Sequence, residues 1–502
     1  MKVSGLGHFP LGTQVPNKEH AVCVSLPSFE DVVGYEEKRP ETLKNLKSGY
    51  PRFVRHQKIN HLADYWNKRT PYIGTDSFFF TSAKDWKFAE NILQIDGAVT
   101  EEKEGYLMAY VPEGSRESVK INKFLQHSGC GLSSRQAETI LESLGLVETS
   151  ETVSPNADAE DQIKAVISKA HGPKVDAEDV LLSSSGANAF TSVFRAALEQ
   201  SRQERKKLWI RLGWLYLDTI EIMNLLTRSE EQIIDLNHPD EFEKLEGIFA
   251  SYGIEIAGVV TEFPSNPLLH SCNLEKVRQL CDRHNSLLIV DPTMASPKNA
   301  QVTNLADIVI NSLTKYANWE GDVMMGSAVF PKSSVKGMAI KETAINLITA
   351  PFSKDAERMA EQIPFYDNFI DRTNHTQLEI VEFLNSHAKV SSVYSAYQEL
   401  TGNNYRKLAG EGKPGCVVSF EVNGSFRDFY DELSMLKSPS FGTEFSLCCP
   451  YVYLAHYDMI NSVQGKKKLQ QAKLPHELVR LSVGLEEPTS IMEVLGRALG
   501  KC

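Results

Sequence analysis

Lys315 lies in the segment SLTKYANW, which covers residues 312–319. It follows the apolar run Ile308-Val309-Ile310, and this pattern predicts a lysine at the end of a buried strand. A lysine in such a place is often only a solvated strand end, because its stem covers apolar surface while the ammonium stays in water. A catalytic interpretation therefore needs chemically suited residues at neighbouring strand ends.

Polar groups occupy three further predicted strand ends. The Ser/Gly turn SSSGANAF (183–190) opens into a helix, whose free N–H groups and positive dipole end suit a phosphate. This turn has neither the GxxxxGK[ST] nor the GxGxxG pattern. Asp291 closes the apolar strand LLIVD, and Asn266 follows another strand in EFPSNP. Each of these features is also compatible with a plain structural role as a cap or a turn.

Together these groups suit one cofactor. Pyridoxal 5′-phosphate needs a lysine that forms a Schiff base, an aspartate that keeps the pyridine nitrogen protonated, and a site for its phosphate. The chain offers the phosphate turn first, then Asp291, then Lys315. The sequence therefore predicts a pyridoxal-phosphate site, with no metal ion.

The elements that position these residues alternate regularly from about residue 178. Predicted strands such as DVLLSS, KKLWIRL, IEIAGVVTEF, SLLIVD and ADIVINS are apolar throughout, with helices such as NLEKVRQLCDRHN between them. This pattern indicates a parallel sheet covered on both faces, in which ligands bind at the carboxyl ends of the strands. After residue 331 a helical stretch leads into a smaller α/β unit. Near the N-terminus, KRPETLKNLKSGYPRF predicts a short helix that ends near Gly49.

Composition limits the class of protein. A chain of 502 residues exceeds the roughly 250–300 that one core supports, so we expect at least two domains. The net charge of −12 argues against general binding of nucleic acid or anionic membranes. No apolar run approaches a membrane span, and no secretory signal is visible. Eight cysteines without a CxxC pair favour reduced thiols and a cytoplasmic protein.

Four segments resemble motifs of the transsulfuration (Cys/Met metabolism) family of pyridoxal-phosphate enzymes. They are TEFPSNPLL, LLIVDPTMASP, ADIVINSLTKYANWEGDVMMGSAV and VRLSVGLEEP. The resemblance covers residues 175–331 strongly and 435–500 moderately. It is nearest to the cystathionine γ-synthase group, including the long fungal-type proteins, whose GYEE…GYPRF openings are similar to residues 34–53.

The resemblance implies an α/β fold of type I, the aspartate aminotransferase-like class. We expect an extended N-terminal arm over residues 1–60, a large cofactor-binding domain over 61–331 and a small α/β domain over 332–502. The large domain would have a mostly parallel sheet covered by helices. Residues 61–175 have no confident family match.

The resemblance also implies residue roles. Lys315 would form the Schiff base, Asp291 would hold the pyridine nitrogen, and Tyr216 would stack on the ring and move protons. Further cofactor contacts would come from Gly186, Ala187, Asn266, Thr293, Ser312 and Thr314. Arg480 would clamp the substrate carboxylate with help from Ser440. Tyr50 and Arg52 would reach the phosphate of a neighbouring subunit, which implies a homodimer or homotetramer with shared active sites.

The activity expected from the resemblance is γ-replacement, in which an O-acyl-L-homoserine and L-cysteine give cystathionine. An O-acylhomoserine sulfhydrylase and a cystathionine or methionine γ-lyase have the same residues and stay open. A catalytically silent regulatory paralogue is a further alternative. Three departures from the family pattern, at Pro292, Leu217-Asp218 and Trp319-Glu320, bear on the substrate.

Overall fold

The computed structural model describes residues 3–47 and 53–501. Tyr50 and Arg52, two of the expected phosphate ligands, lie outside the described residues. The described residues form a seven-stranded, a five-stranded, a three-stranded and a two-stranded sheet.

The N-terminal part contains the two-stranded and three-stranded sheets. Its elements are β1 (Gln14–Val15), β2 (Cys23–Val24), α1 (Phe29–Glu36), α2 (Pro40–Leu43), α3 (Gln57–Asn67), β3 (Thr75–Phe80), α4 (Ala83–Leu93), β4 (Val99–Lys103), β5 (Tyr106–Pro112), α5 (Arg116–Ser128), α6 (Ser134–Ser143) and α7 (Ala159–Ala170). The helix predicted to end near Gly49 ends at Leu43 instead. There the Asn45 side chain donates to the Glu41 carbonyl at 2.8 Å, a local bond that competes with further helix.

The three-stranded sheet, in the order β3-β5-β4, is antiparallel throughout. Successive residues of β3 alternate between its two faces. Phe78 and Phe80 pack with Trp86 of α4 and Phe124 of α5, whereas Phe79 packs on the side of α3. Residues 62–144, part of the segment 61–175 that matches no family motif in the sequence, thus build cores of their own, whereas Ile163 and Ile167 of α7 pack in the core of the large sheet. Helix α5 contacts the helices Gly186–Gln203 and Leu217–Leu226 of that sheet.

The large sheet and its helices follow. The elements are β6 (Val180–Ser183), α8 (Gly186–Gln203), β7 (Leu208–Leu212), α9 (Leu217–Leu226), β8 (Gln232–Leu236), α10 (Phe242–Tyr252), β9 (Ile256–Glu262), α11 (Leu274–Arg283), β10 (Leu287–Asp291), β11 (Ile308–Ser312) and β12 (Gly326–Val329). Short 3₁₀ helices cover Ala177–Asp179 and Gly253–Glu255.

This sheet has the strand order β6-β12-β11-β10-β9-β7-β8. Strands β8, β7, β9, β10 and β11 are parallel, and β12 runs antiparallel to both of its neighbours. Both faces are covered: Leu288 and Val290 face one core, whereas Leu287 and Ile289 face the other. The predicted mostly parallel, doubly covered sheet is confirmed.

The C-terminal part carries the five-stranded sheet, in the order β13-β14-β17-β16-β15. Its elements are α12 (Val335–Ala344), α13 (Ser353–Gln362), a 3₁₀ helix (Ile363–Phe365), α14 (Tyr366–Ser386), β13 (Val390–Tyr394), α15 (Gly402–Ala409), β14 (Val417–Val422), α16 (Phe426–Glu432), β15 (Leu436–Lys437), β16 (Leu447–Pro450), α17 (Tyr451–Ala455), α18 (Tyr457–Ile460), α19 (Val463–Gln471), β17 (Leu478–Ser482) and α20 (Pro488–Leu499). The smaller C-terminal α/β unit is therefore present. The boundaries proposed for the three regions stay a prediction. None of the described helices is long and apolar enough to cross a membrane.

Candidate active site

One pocket opens at the carboxyl ends of β6, β9, β10 and β11 and is closed on its far side by the C-terminal sheet. The structure brings most of the residues predicted from the sequence to its wall. They are Gly186, Ala187, Tyr216, Asn266, Asp291, Thr293, Ser312, Thr314, Lys315, Ser440 and Arg480.

The start of α8 forms one end of the pocket. Ser185 is the N-cap of this helix, and its hydroxyl accepts a hydrogen bond from the Asn188 N–H at 3.1 Å. Gly186 and Ala187 follow at the first helical positions, whose N–H groups have no partner within a helix. A Cβ on Gly186 would lie 2.8 Å from Cβ of Ser312, so only glycine lets the turn pack on β11. The result is a backbone cradle beside the Ser312 hydroxyl.

Two carboxylates meet at the centre of the sheet edge. Asp291 ends β10 in register with Glu262, which ends β9. The Thr293 N–H donates to Asp291 at 2.8 Å. Burial raises the pKa of Asp291 to about 6. Burial, and then the nearby Asp291, raise the pKa of Glu262 to about 8. This edge of the sheet therefore favours a positively charged or proton-donating group.

Ser440 accepts hydrogen bonds from both basic residues that were predicted for the site. Lys315 is buried and donates from Nζ to the Ser440 hydroxyl at 3.0 Å. Arg480 Nη2 donates to the Ser440 carbonyl at 2.9 Å, and Arg480 Nη1 donates to Asn266 Oδ1 at 3.0 Å. Ser440 has a φ of 122°, a strained value for a residue other than glycine. This conformation lets its hydroxyl face Lys315 while its carbonyl faces Arg480.

Glu262 is a site residue that our sequence analysis missed. One of its oxygens accepts from the Tyr216 N–H at 2.5 Å, and the other accepts from the Asn266 N–H at 2.9 Å. It thereby fixes the backbone of both residues at the pocket wall. The signal was available, because Glu262 closes an apolar strand in the same way as Asp291.

An apolar wall was also missed. Tyr35 and Phe53 come from the N-terminal part, Met324 precedes β12, and Phe441 and Leu454 come from the C-terminal part. These residues are far apart in the chain, and no spacing pattern connects them.

Asp218, at the second position of α9, also lines the pocket. It lies 2.8 Å from the ring nitrogen Nδ1 of the buried His127. The sequence shows Asp218 as a departure from the family pattern, but His127 belongs to the segment without a family match.

The donor set fits pyridoxal 5′-phosphate. The cradle at α8 suits a phosphate, and the Asp291 carboxylate, which none of the described cations pairs with, suits a protonated ring nitrogen. The Lys315 amine lies in the same pocket. Among the described residues no cluster of acidic, histidine and cysteine side chains could hold a metal ion.

The sequence profile of the family described as "Cys/Met metabolism PLP-dependent enzyme" matches residues 164–500. The chain belongs to this family. It is an enzyme of Cys/Met metabolism type, and its cofactor is pyridoxal 5′-phosphate.

Curated relatives extend the similarity over the rest of the chain. The L-2-amino-4-chloropent-4-enoate dechlorinase/desaturase of Streptantibioticus cattleyicolor is 30% identical over 487 residues, which cover 96% of each chain. The cystathionine γ-synthase of Neurospora crassa is 26% identical, and the alignment covers 98% of each chain. The similarity therefore includes residues 61–175.

A solved structure shares the fold. The cystathionine γ-synthase of Xanthomonas oryzae, in complex with aminoacrylate and cysteine, superposes with a TM-score of 0.58 at 22% identity. The match covers 69% of this chain and 86% of that one. It confirms the fold of type I pyridoxal-phosphate enzymes, as expected from the sequence.

Proposed function

We propose that this enzyme catalyses γ-replacement, joining an O-acyl-L-homoserine to L-cysteine to form cystathionine, which would serve methionine biosynthesis. The observation that carries this proposal is the arrangement of Lys315 and Arg480 around Ser440. Arg480 is held by neutral oxygens, and none of the described carboxylates forms an ion pair with it. Its guanidinium is therefore available for a substrate carboxylate, within reach of a buried amine.

Each residue at the pocket wall has its own role in this reaction. The cofactor, when bound, withdraws electrons from Cα of an amino acid. Arg480 binds the α-carboxylate and so sets the direction of the Cα–H bond. Lys315 takes the proton from Cα and moves protons toward Cβ, and Tyr216 lies on the wall of the same pocket. Loss of a Cβ proton lets the γ-acyloxy group leave as its carboxylate, and the thiol loses its proton as its sulfur bonds to Cγ. Protons then return to Cβ and Cα.

Asp291 and Glu262 support this chemistry. Asp291 stabilises positive charge on the cofactor ring, and Glu262 holds Tyr216 and Asn266 by their backbone N–H groups. The similarity to the Neurospora cystathionine γ-synthase over almost the whole chain supports the choice of reaction.

A second candidate is γ-elimination from an amino acid with chloride at Cγ. The Streptantibioticus relative is named for L-2-amino-4-chloropent-4-enoate, and its similarity covers 96% of each chain. The apolar wall of Met324, Phe441 and Leu454 also suits a compact, uncharged substituent, because a charged one would lose its hydration there.

Product analysis separates these reactions. O-acetyl-, O-succinyl- and O-phosphohomoserine are each offered with cysteine or sulfide, and L-2-amino-4-chloropent-4-enoate is offered alone. Cystathionine from an O-acylhomoserine supports the first proposal, whereas chloride release without a nucleophile supports the second. 2-Oxobutyrate in place of cystathionine, formed from an O-acylhomoserine with cysteine present, would contradict both and indicate a γ-lyase type of reaction. The Lys315→Ala variant is the control for uncatalysed chemistry.

We also propose a homodimer or homotetramer in which Tyr50 and Arg52 complete a neighbouring site. Phe53, the next residue in the chain, lines the pocket of its own chain, so an own-chain arrangement competes with this proposal. A cytoplasmic setting is consistent with the seven cysteines of the described residues, all buried and free of disulfides.

A further inference from the structure

A second cavity, of about 260 Å³, lies beside the cofactor pocket. Phe53, Ser185 and Met324 line both spaces, so the two meet at the start of α8. The remaining wall comes from the N-terminal part, from β3, and from α5 and the loop that follows it, and Asp322 and Asp355 also line the cavity. None of the reaction steps proposed above uses this cavity.

Most charged groups of this cavity already have partners. Asp322 pairs with Lys18 at 2.8 Å and with Arg358 at 3.0 Å. Asp355 pairs with Arg135 at 3.0 Å. Two histidines are also satisfied. His20 Nε2 lies 3.1 Å from Glu138 and its Nδ1 lies 2.8 Å from the Ser134 hydroxyl, while His56 Nε2 donates to the Glu19 carbonyl at 2.9 Å.

Arg55 is the exception. Its Nη2 is buried and has no hydrogen-bond partner; Arg135 Nη2 has none either, but it lies in an ion pair with the Glu151 carboxylate. The Arg55 guanidinium lies 5.4 Å from the ring centroid of Phe79. Asp64 and Asp76 act on it electrostatically, but no described carboxylate lies within ion-pair distance. Burial lowers the pKa of Arg55 to about 10, and Asp76 and Asp64 offset this only in part. A buried donor on a cation is costly to leave unpaired, which indicates that an anion completes the site.

We propose that Arg55 binds a carboxylate of a reactant in this second cavity, which meets the cofactor pocket at the start of α8. This inference rests on the proposed γ-replacement. A guanidinium matches the planar, two-oxygen geometry of a carboxylate. Two reactants could supply it: the carboxylate of the incoming cysteine, or the terminal carboxylate of an O-succinyl group. In both cases the ligand is a small carboxylate, carried either by the nucleophile that bonds to Cγ or by the acyl group that leaves it.

Calorimetric titration of the holoenzyme tests the binding site without turnover. N-acetyl-L-cysteine and N-acetylcysteamine differ by one carboxylate, and succinate and succinamide form a second matched pair. We expect the wild type to bind at least one carboxylate probe about tenfold or more tightly than its neutral partner. Because the Arg480 guanidinium can bind the same probes, the comparison is made in an Arg480→Ala background. There Arg55→Met should remove the preference, and Arg55→Lys should keep part of it. Arg116→Met, which removes an exposed arginine at the start of α5, is the control and should leave the preference intact.

Kinetic measurements then identify the reactant. If the site holds the nucleophile, Arg55→Met raises KM for cysteine about tenfold while KM for sulfide stays unchanged. If it holds the acyl group, KM rises for O-succinylhomoserine and not for O-acetylhomoserine. The proposal is overturned if the wild type shows no preference in either pair of probes, a result that needs no variant to fold. It is also overturned if Arg55→Met keeps the preference in the Arg480→Ala background. Because binding is measured apart from turnover, failure of the proposed reaction would be recognised separately.

Discussion

Arg480 and Arg135 are both buried arginines, and they differ in what holds them. Arg480 is held by two neutral oxygens, from Asn266 and from the backbone of Ser440. Arg135, in the second cavity, is paired with the carboxylates of Glu151 and Asp355. A cation held by neutral acceptors keeps its charge for a ligand, whereas one held by carboxylates is already neutralised. The partners of a buried cation thus separate a binding role from a structural role.

The largest effect should come from the cofactor pocket itself. We expect Lys315→Ala to lose turnover by about a thousandfold or more and to lose covalent attachment of the cofactor, because the amine moves the proton in each step. Borohydride reduction and peptide mapping of the wild type should label the peptide that contains Lys315. Lys437→Ala is the matched control, since Lys437 is a buried lysine that donates to the Pro27 and Asp431 carbonyls. A label on a different lysine would refute the assignment.

Arg480→Ala tests the binding side of the comparison. Removal of the carboxylate clamp should lower kcat/KM about a hundredfold or more, with KM raised and kcat reduced, because the Cα–H bond loses its orientation. Arg480→Lys should recover only part of this loss. Steady-state kinetics with saturating cofactor provide the measurement. Kinetics close to the wild type would show that another residue is the clamp.

The Asp322→Asn variant tests the structural role that we assign to the ion-paired Arg135. Burial alone would raise the pKa of Asp322, but Arg358, Arg135 and Lys18 outweigh burial and lower it. Removing this charge leaves Arg358, Arg135 and Lys18 with one partner fewer. We therefore expect the free energy of unfolding to fall by about 3–5 kcal/mol. Denaturant unfolding measures this loss, and kcat/KM is compared per folded molecule. Arg116→Met again serves as the control for a surface arginine. A large loss of activity with normal stability would remove the distinction between the two arginines.

Glu262 makes the cofactor-free protein sensitive to pH. The pKa of Glu262 in the folded state is raised from 4.5 to about 8. The stability that this bound proton contributes is therefore complete below about pH 4.5 and is lost as the pH rises to about 8. The free energy of unfolding should therefore fall across this window, by up to about 1.4 kcal/mol per pH unit. Glu262→Gln should flatten the profile, whereas Glu243→Gln, an exposed glutamate on α10, should not. An unchanged slope in Glu262→Gln would show that the buried proton belongs to another group.

Subunit mixing tests the shared-site proposal. Arg52→Ala and Lys315→Ala, each inactive or weakened alone, are combined and allowed to exchange subunits. If Arg52 serves the neighbouring site, equal mixing should restore about a quarter of the wild-type activity, since half of the dimers are mixed and each has one intact site. No recovery after proven exchange, or a fully active monomer, would favour the own-chain arrangement to which Phe53 points.

Most residues predicted for the site line one pocket, because they follow strand ends. Asp291, Ser312 and Lys315 come directly after or close to apolar runs, and parallel strands bring such positions to one edge. Glu262 also ends an apolar strand, but it was overlooked because none of the groups that pyridoxal phosphate needs called for a second carboxylate. The apolar wall and Arg55 obey no local rule, since they depend on how three distant parts of the chain pack together. The antiparallel β12 was not predicted for the same reason, because strand direction is set by the connection and not by composition.

Close packing at the start of α8 makes the proposed phosphate site depend on the pairing of one strand of the large sheet. Gly326, the first residue of β12, lies so near to Ser185 and Gly186 that any side chain there would collide with their backbone. The turn that we propose to hold the phosphate therefore rests directly on β12, and we expect it to keep its shape only while β12 stays paired with β6 and β11. We expect hydrogen exchange at the amides of β12 to slow when pyridoxal phosphate binds, more than at the distant strand β8. Release of the cofactor would then mark the opening of one side of the sheet, before the rest of the molecule unfolds.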